Sequence, residues 1–189
     1  MLAAGMSCRL GQPKQLLRVR SEPLVRWQLR KLLASDYHPV GVVVGAESGR
    51  VMQVLKGLPV QFIHNPDYMQ GIGTSVATAA RWVKQLRPMP AALLLTVCDQ
   101  LFLSTHLLDQ MRARWLEVQP QAIVCRYTVG KGVPALFAAS CFDDLAKCDG
   151  AQGAKQVWNK LSHVIEMSFP KGQIDLDQPE DLHWLDQLP

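Results

Sequence analysis

The sequence predicts an α/β domain in which a mostly parallel β-sheet carries helices on both faces. Three observations lead there. Apolar runs rich in Val, Ile and Leu alternate along the chain with segments of helical spacing. The strongest run, Ala91 to Cys98, is apolar on both faces, as a strand buried inside a parallel sheet is. The 189 residues suffice for one sizeable core and not for two, so residues 1–189 are read as a single domain.

The elements follow in order. A helix is expected around Val25, Leu29, Leu32 and Leu33, which recur on one face. Pro39 to Val44 and Val60 to His64 read as fully buried strands. A second helix presents Val76, Ala79, Ala80 and Val83, with Thr74 or Ser75 as its N-cap. After Ala91 to Cys98, Ser104 caps a helix burying Leu108, Met111 and Trp115. Ala122 to Tyr127, Val133 to Ala138 and Val164 to Phe169 are further strands. A last helix starts after Pro179, a residue tolerated in a first turn, and buries Leu182 and Leu185.

Composition narrows the function. Hydrophobic residues make up 48% and charged residues 19%, which excludes a disordered or fibrous chain. Twenty Lys and Arg against 16 Asp and Glu leave a charge of +4, enough to welcome an anion but without the basic stripe of a nucleic-acid binder. No apolar run approaches membrane-spanning length. Arg9, Lys14, Arg18 and Arg20 follow the first apolar residues instead of preceding them, which argues against a signal peptide. Five irregularly spaced cysteines support neither a disulfide framework nor a zinc site, and reduced thiols in a cytoplasmic protein are expected. The five histidines show no metal spacing.

The opening MLAAGMSCRLGQPK reads as an anion trap. Gly5 and Gly11 bracket a loop that carries Ser7 and Arg9, and Lys14 follows Pro13. Glycines allow positive φ and bring backbone N–H groups close to a ligand. Arg9 supplies a planar fork of donors and Lys14 a mobile charge. The pattern is neither a Walker A loop nor a dinucleotide fingerprint. Further along, Asp99 ends the most buried predicted strand, which puts its carboxylate over the carboxyl edge of the sheet, where ligands bind in such folds. Asp175 and Asp177 are two residues apart, so on extended chain both face one side. Asp99 and Asp177 are then able to share one Mg²⁺, with Asp175 the lesser candidate. Glu180 and Asp181 suit the first turn of the last helix.

From Leu2 to Leu17 the chain resembles the opening signature of the MobA-like nucleotidyltransferases, Leu-Ala-Ala-Gly-x-Ser-x-Arg-x-Gly-x-Pro-Lys-x-Leu-Leu, at every fixed position. Within that family it most resembles the molybdenum cofactor cytidylyltransferase branch. Asn65 with Gly71 to Ser75, VCDQLFL around Asp99, GKGVPALF from Gly130, DGAQGAK from Asp149 and IDLDQPEDL from Ile174 resemble later family segments in order. The resemblance implies a Rossmann-like fold of the nucleotide-diphospho-sugar transferase type. It also implies transfer of CMP from CTP to a phosphate-bearing acceptor, with pyrophosphate as leaving group. Arg9, Lys14 and Asp99 would be catalytic. Leu2, Ala3, Ala4, Gly5, Lys14, Asn65, Gly71, Thr74, Ser75 and Asp99 would bind the nucleotide, and Asp99 and Asp177 the Mg²⁺. Ala3-Ala4-Gly5 favours CTP, and the implied acceptor is molybdopterin, with a molybdenum hydroxylase or its chaperone as recipient.

Four departures from the family pattern stand out. The apolar run that should precede Leu2 and form the first, central strand is missing, which suggests that Met1 is not the true start. Leu101 replaces a Pro, Val133 stands where the acceptor strand often has His, and Gln178 replaces a Thr. Rival readings are the same transfer to a sugar, polyol or phospholactate acceptor, or a non-catalytic accessory module keeping the fold.

Overall fold

The computed structural model describes residues 1–188. The elements run β1 (Leu2–Ala3), β2 (Arg18–Val19), β3 (Glu22–Pro23), α1 (Leu24–Leu33), β4 (Gly41–Val44), α2 (Ser48–Val54), β5 (Gln61–His64), α3 (Ile72–Gln85), β6 (Ala92–Leu95), α4 (Thr105–Val118), β7 (Ala122–Arg126), β8 (Lys131–Ala138), α5 (Phe142–Leu145), α6 (Lys155–Trp158) and β9 (Val164–Ser168), followed by 3-10 turns at Pro170–Gln173 and Pro179–Gln187.

β1, β4 and β5 pair in parallel. β6, β8, β7 and β9 form the other half, β8 running antiparallel to both its neighbours and β7 parallel to β9. A parallel bridge between Leu2 and Val97 joins the halves, giving the order β5-β4-β1-β6-β8-β7-β9. The reversed strand β8 is invisible in the sequence, because apolar periodicity reports burial and not direction. Chain order switches at β1, with β4 on one side and β6 on the other, so the loops leaving β1 and β6 open onto a ligand crevice.

The strands alternate between two cores. Val43, Val124 and Phe137 face α3, α5 and α6, where they meet Val76, Ala80 and Trp158. Val42, Val44 and Ile123 face α1 and α4, where they meet Leu29, Leu108 and Met111. Helices therefore cover both faces, as the sequence predicts. A third cluster of Val19, Leu24, Leu101, Leu176 and Leu188 ties the end of the chain to the β2–β3 hairpin.

Three local expectations are corrected. β5 is an edge strand, and Gln61, Phe62 and His64 are exposed where full burial was expected. Helix α3 begins at Ile72 after Gly71, which has φ 112°, so Thr74 and Ser75 lie inside the first turn and do not cap it. The last segment is a 3-10 turn in which Leu182 and Leu185 are only half-buried. Ser104 does cap α4, its side chain accepting from the Leu107 N–H at 3.2 Å.

β1 is two residues long, and Met1 sits at its head. The Met1 nitrogen donates to Gly41 O at 2.7 Å, carrying the β1–β4 pairing up to Met1. Below it, between β4 and β6, lies a cavity of about 70 Å³ lined by Met1, Gly41, Val43, Ala92 and Leu94 among others. Among the described residues no helix is long and apolar enough to cross a membrane.

Candidate active site

The loop after β1 is closed from both ends. Ser7, held at φ 56°, offers its Oγ to the Lys14 N–H at 3.0 Å. Gln15, 1% exposed, donates its side-chain amide to Ala3 O at 3.0 Å and Gly5 O at 2.6 Å. Gly11 turns the loop back with φ 72°. Leu2, Ala3, Ala4, Gly5 and Lys14 line one wall of a cleft of about 320 Å³. Asp99 closes its end, and Gly71, Ile72 and Ser75 from the start of α3 form the opposite wall.

Asp99 lies in the loop after β6 and is 9% exposed. Leu176 is fully buried in the third cluster, and the chain alternates around it, so Asp175 and Asp177 both face outward from that cluster toward Asp99. One oxygen from each of Asp99, Asp175 and Asp177 lies within 4.8 Å of the others. This is the acidic group among the described residues that suits a divalent ion. The sequence reading ranks Asp175 below Asp177; the geometry puts it with the other two.

Lys14 closes over this group. Its Nζ bonds to Asp99 Oδ2 and, at 3.0 Å, to Asp177 Oδ1. Arg9 reaches Asp177 Oδ2 at 2.5 Å from a position that is largely exposed. Burial works to lower the Lys14 pKa. The charge and hydrogen bond of Asp99, with the hydrogen bond of Asp177, outweigh it and hold the ammonium above the usual lysine value. Asp175, the most exposed of the trio, is pushed up to about 6, first by desolvation and then by the charges of Asp99 and Asp177. The two cations that the sequence resemblance assigns to phosphate thus rest on carboxylates in this structure, on oxygens that a metal would take.

Four predicted residues do not line the cleft. Asp177 and Arg9 stand at the rim, where Asp177 pairs with both Lys14 and Arg9. Asn65 and Thr74 lie behind the wall. Asn65, 1% exposed, donates to Thr74 Oγ1 at 2.9 Å and Ser75 Oγ at 3.0 Å and accepts from the Asp67 N–H, so its polar atoms are spent on the loop. Asp181 accepts the N–H groups of Asp177 and Gln178, a capping role that keeps it out of the acidic group. Leu101, the departure from Pro, is fully buried in the third cluster. Val133 contributes its carbonyl to Gln100 Nε2 at 2.5 Å while its side chain packs against the α3 core. Sequence reasoning missed Gln15 and the apolar rim of Met6, Met69 and Ile72, all well exposed. No spacing rule marks a glutamine that binds backbone or a methionine that lines a cleft.

Comparison with known proteins speaks to family and fold. The MobA-like NTP transferase domain matches residues 1–164. A 91-residue stretch, 45% of the chain, is 41% identical to the bifunctional IPC transferase and DIPP synthase of Rubrobacter xylanophilus; it spans about a fifth (21%) of that protein's length. The fold superimposes on a Mycobacterium sp. strain JC1 homologue of Mycobacterium tuberculosis Rv0371c with a TM-score of 0.81 and 25% identity, covering 99% of this chain and 93% of that one. It also superimposes on Rv0371c of M. tuberculosis H37Rv, solved in complex with manganese, with a TM-score of 0.73 and 23% identity over 97% and 94% of the two chains. At that identity the second likeness speaks for the fold alone.

Proposed function

The chain belongs to the MobA-like NTP transferase family, and on that premise we propose that it transfers CMP from CTP to the phosphate of a small acceptor, molybdopterin, releasing pyrophosphate. Residues 1–189 are read as the one domain that does this. The observation that supports the reading is convergence: a glycine loop and its lysine line one cleft with Asp99, and Asp175 and Asp177 from a distant segment join Asp99 at its edge.

An acceptor phosphate oxygen attacks the α-phosphorus in line, the new P–O bond forms, and the bond to the β-phosphate oxygen breaks as pyrophosphate leaves. Such chemistry needs positioning and charge neutralisation more than covalent participation by the protein. The Leu2–Gly5 backbone and Ser75 hold the nucleotide, with Asn65, Gly71 and Thr74 shaping that wall. Lys14 and Arg9 exchange their carboxylate partners for phosphate oxygens and offset the charge that builds on the leaving group. The donor set suits Mg²⁺, which takes one or two carboxylates and leaves its other positions to phosphate and water. Asp99 and Asp177 would hold it, with Asp175 alongside. When bound, the ion neutralises phosphate charge and polarises the α-phosphate.

A screen of nucleoside triphosphates against acceptors, read as Mg²⁺-dependent pyrophosphate release, tests the proposal. CTP with molybdopterin should give the fastest turnover. A second reading, the same transfer to another phosphorylated acceptor such as a sugar, polyol or phospholactate, is favoured by Val133, which brings no titratable group to the acceptor strand. Turnover with one of these and none with molybdopterin would establish it. A chain that binds no nucleotide would be an accessory module.

A further inference from the structure

We propose that Gln15 is a positioning residue: its buried amide presets the Ala3–Gly5 turn so that the loop is ready for nucleotide before nucleotide arrives. The inference rests on the reading of the cleft as a nucleotide site and adds a residue to it. β1 ends at Ala3, and from there the backbone leaves the β4 ladder. Carbonyls that leave a ladder inside a protein need new donors. Ala3 and Gly5 are two residues apart, so on near-extended backbone their carbonyls point the same way. One side-chain amide captures both, at 3.0 and 2.6 Å.

The orientation of that amide is forced. Both partners are pure acceptors, so the NH₂ must face them and the Oε1 must turn away. The Oε1 then has no hydrogen-bond partner although it is buried, a cost the fold carries to keep the two carbonyls tied. Gln15 also follows Lys14 directly, in the same short 3-10 turn. One turn of chain therefore sends a cation to the carboxylates and an amide to the loop, fixing the glycine turn and the charged group relative to each other.

The test compares wild type with Gln15→Met, which keeps the length and loses the donors, and with Gln15→Asn, a milder change whose amide is too short to reach both carbonyls. Gln28→Met is the control, since Gln28 is equally buried and donates to Gln100 O and not to a loop carbonyl. Amide hydrogen exchange over residues 4–7 without nucleotide should accelerate in both Gln15 variants and stay as in wild type for Gln28→Met. Calorimetric Kd for Mg²⁺·CTP should rise about tenfold in Gln15→Met, with kcat at saturating CTP falling much less. Unchanged exchange in both Gln15 variants, or unchanged Kd in a variant whose loop exchanges faster, overturns the proposal. Wild type that binds no nucleotide sinks the nucleotide site instead, and the exchange data still decide whether Gln15 holds the turn.

Discussion

Replacing Asp175 by Asn is expected to stabilise the chain above pH 6 and to flatten its pH dependence between pH 4 and 6. One carboxylate oxygen of Asp175 lies within 4.8 Å of an oxygen of Asp99 and of Asp177. Desolvation first, and then those two charges, raise its pKa from 3.8 to about 6. Between those values the folded chain holds a proton that the unfolded chain has released, so stability falls as pH rises through the window and levels off above it. At about 1.4 kcal/mol per pH unit the interval amounts to about 3 kcal/mol, but solvent reaches this exposed side chain and screens it, which leaves about 1 kcal/mol. Asn keeps the shape and removes the charge. Urea melts of wild type and Asp175→Asn at half-unit pH steps, without divalent ions, would measure this. The variant should gain on wild type from pH 4 to 6 and keep about 1 kcal/mol above pH 6. Parallel curves would refute this account of Asp175, because every other titrating group is common to both proteins.

Further outcomes follow from the same structure. Asp99→Ala and Lys14→Ala should each abolish pyrophosphate release while circular dichroism stays native. Lys14→Ala should in addition lower stability by about 3–5 kcal/mol, since it strands the largely buried Asp99 carboxylate; full turnover in either variant would remove that residue from the mechanism. Asp177→Asn should weaken Mn²⁺ binding, followed by electron paramagnetic resonance, whereas Asp181→Asn should leave it nearly unchanged because Asp181 serves backbone N–H groups. Leu101→Ala should cost about 2–5 kcal/mol in a denaturant melt, because Leu101 fills the cluster that also anchors Leu176 between Asp175 and Asp177. Gly73→Ala should destabilise by about 1–3 kcal/mol, since a Cβ there would stand 2.0 Å from Asp149 O, and a thermal melt equal to wild type would contradict that close approach.

What the sequence made legible was whatever repeats with a period or sits in a short motif. The β4, β6 and β7 runs, the buried faces of α1 and α3 and the Ser104 cap appear where patterning puts them. The glycine loop was readable because positive φ and clustered cations leave a mark in composition. Asp99 and Asp177 were readable because one ends a strand and the other lies one residue beyond a buried leucine. The β2–β3 hairpin, with two residues in each strand, is too short to show a period. The antiparallel course of β8 depends on connections and not on its own residues. β5 misled because an apolar core of Phe62 and Ile63 suits an edge strand half-covered by α3 as well as a central one. Lys14 was expected on phosphate and rests on Asp99 and Asp177, because a flexible cation goes to whichever anion the fold brings nearest. Gln15 escaped notice altogether: its role is to bind carbonyls whose positions only the folded loop defines.

Calorimetric titration of CTP into the protein, with Mg²⁺ and with EDTA, for wild type and Asp99→Asn, decides whether the cleft and its carboxylates make one metal-dependent nucleotide site. Wild type should show one site per chain, strong with Mg²⁺ and weak with EDTA, and Asp99→Asn should lose that Mg²⁺ dependence. CTP binding indifferent to both the ion and Asp99 would rule such a site out.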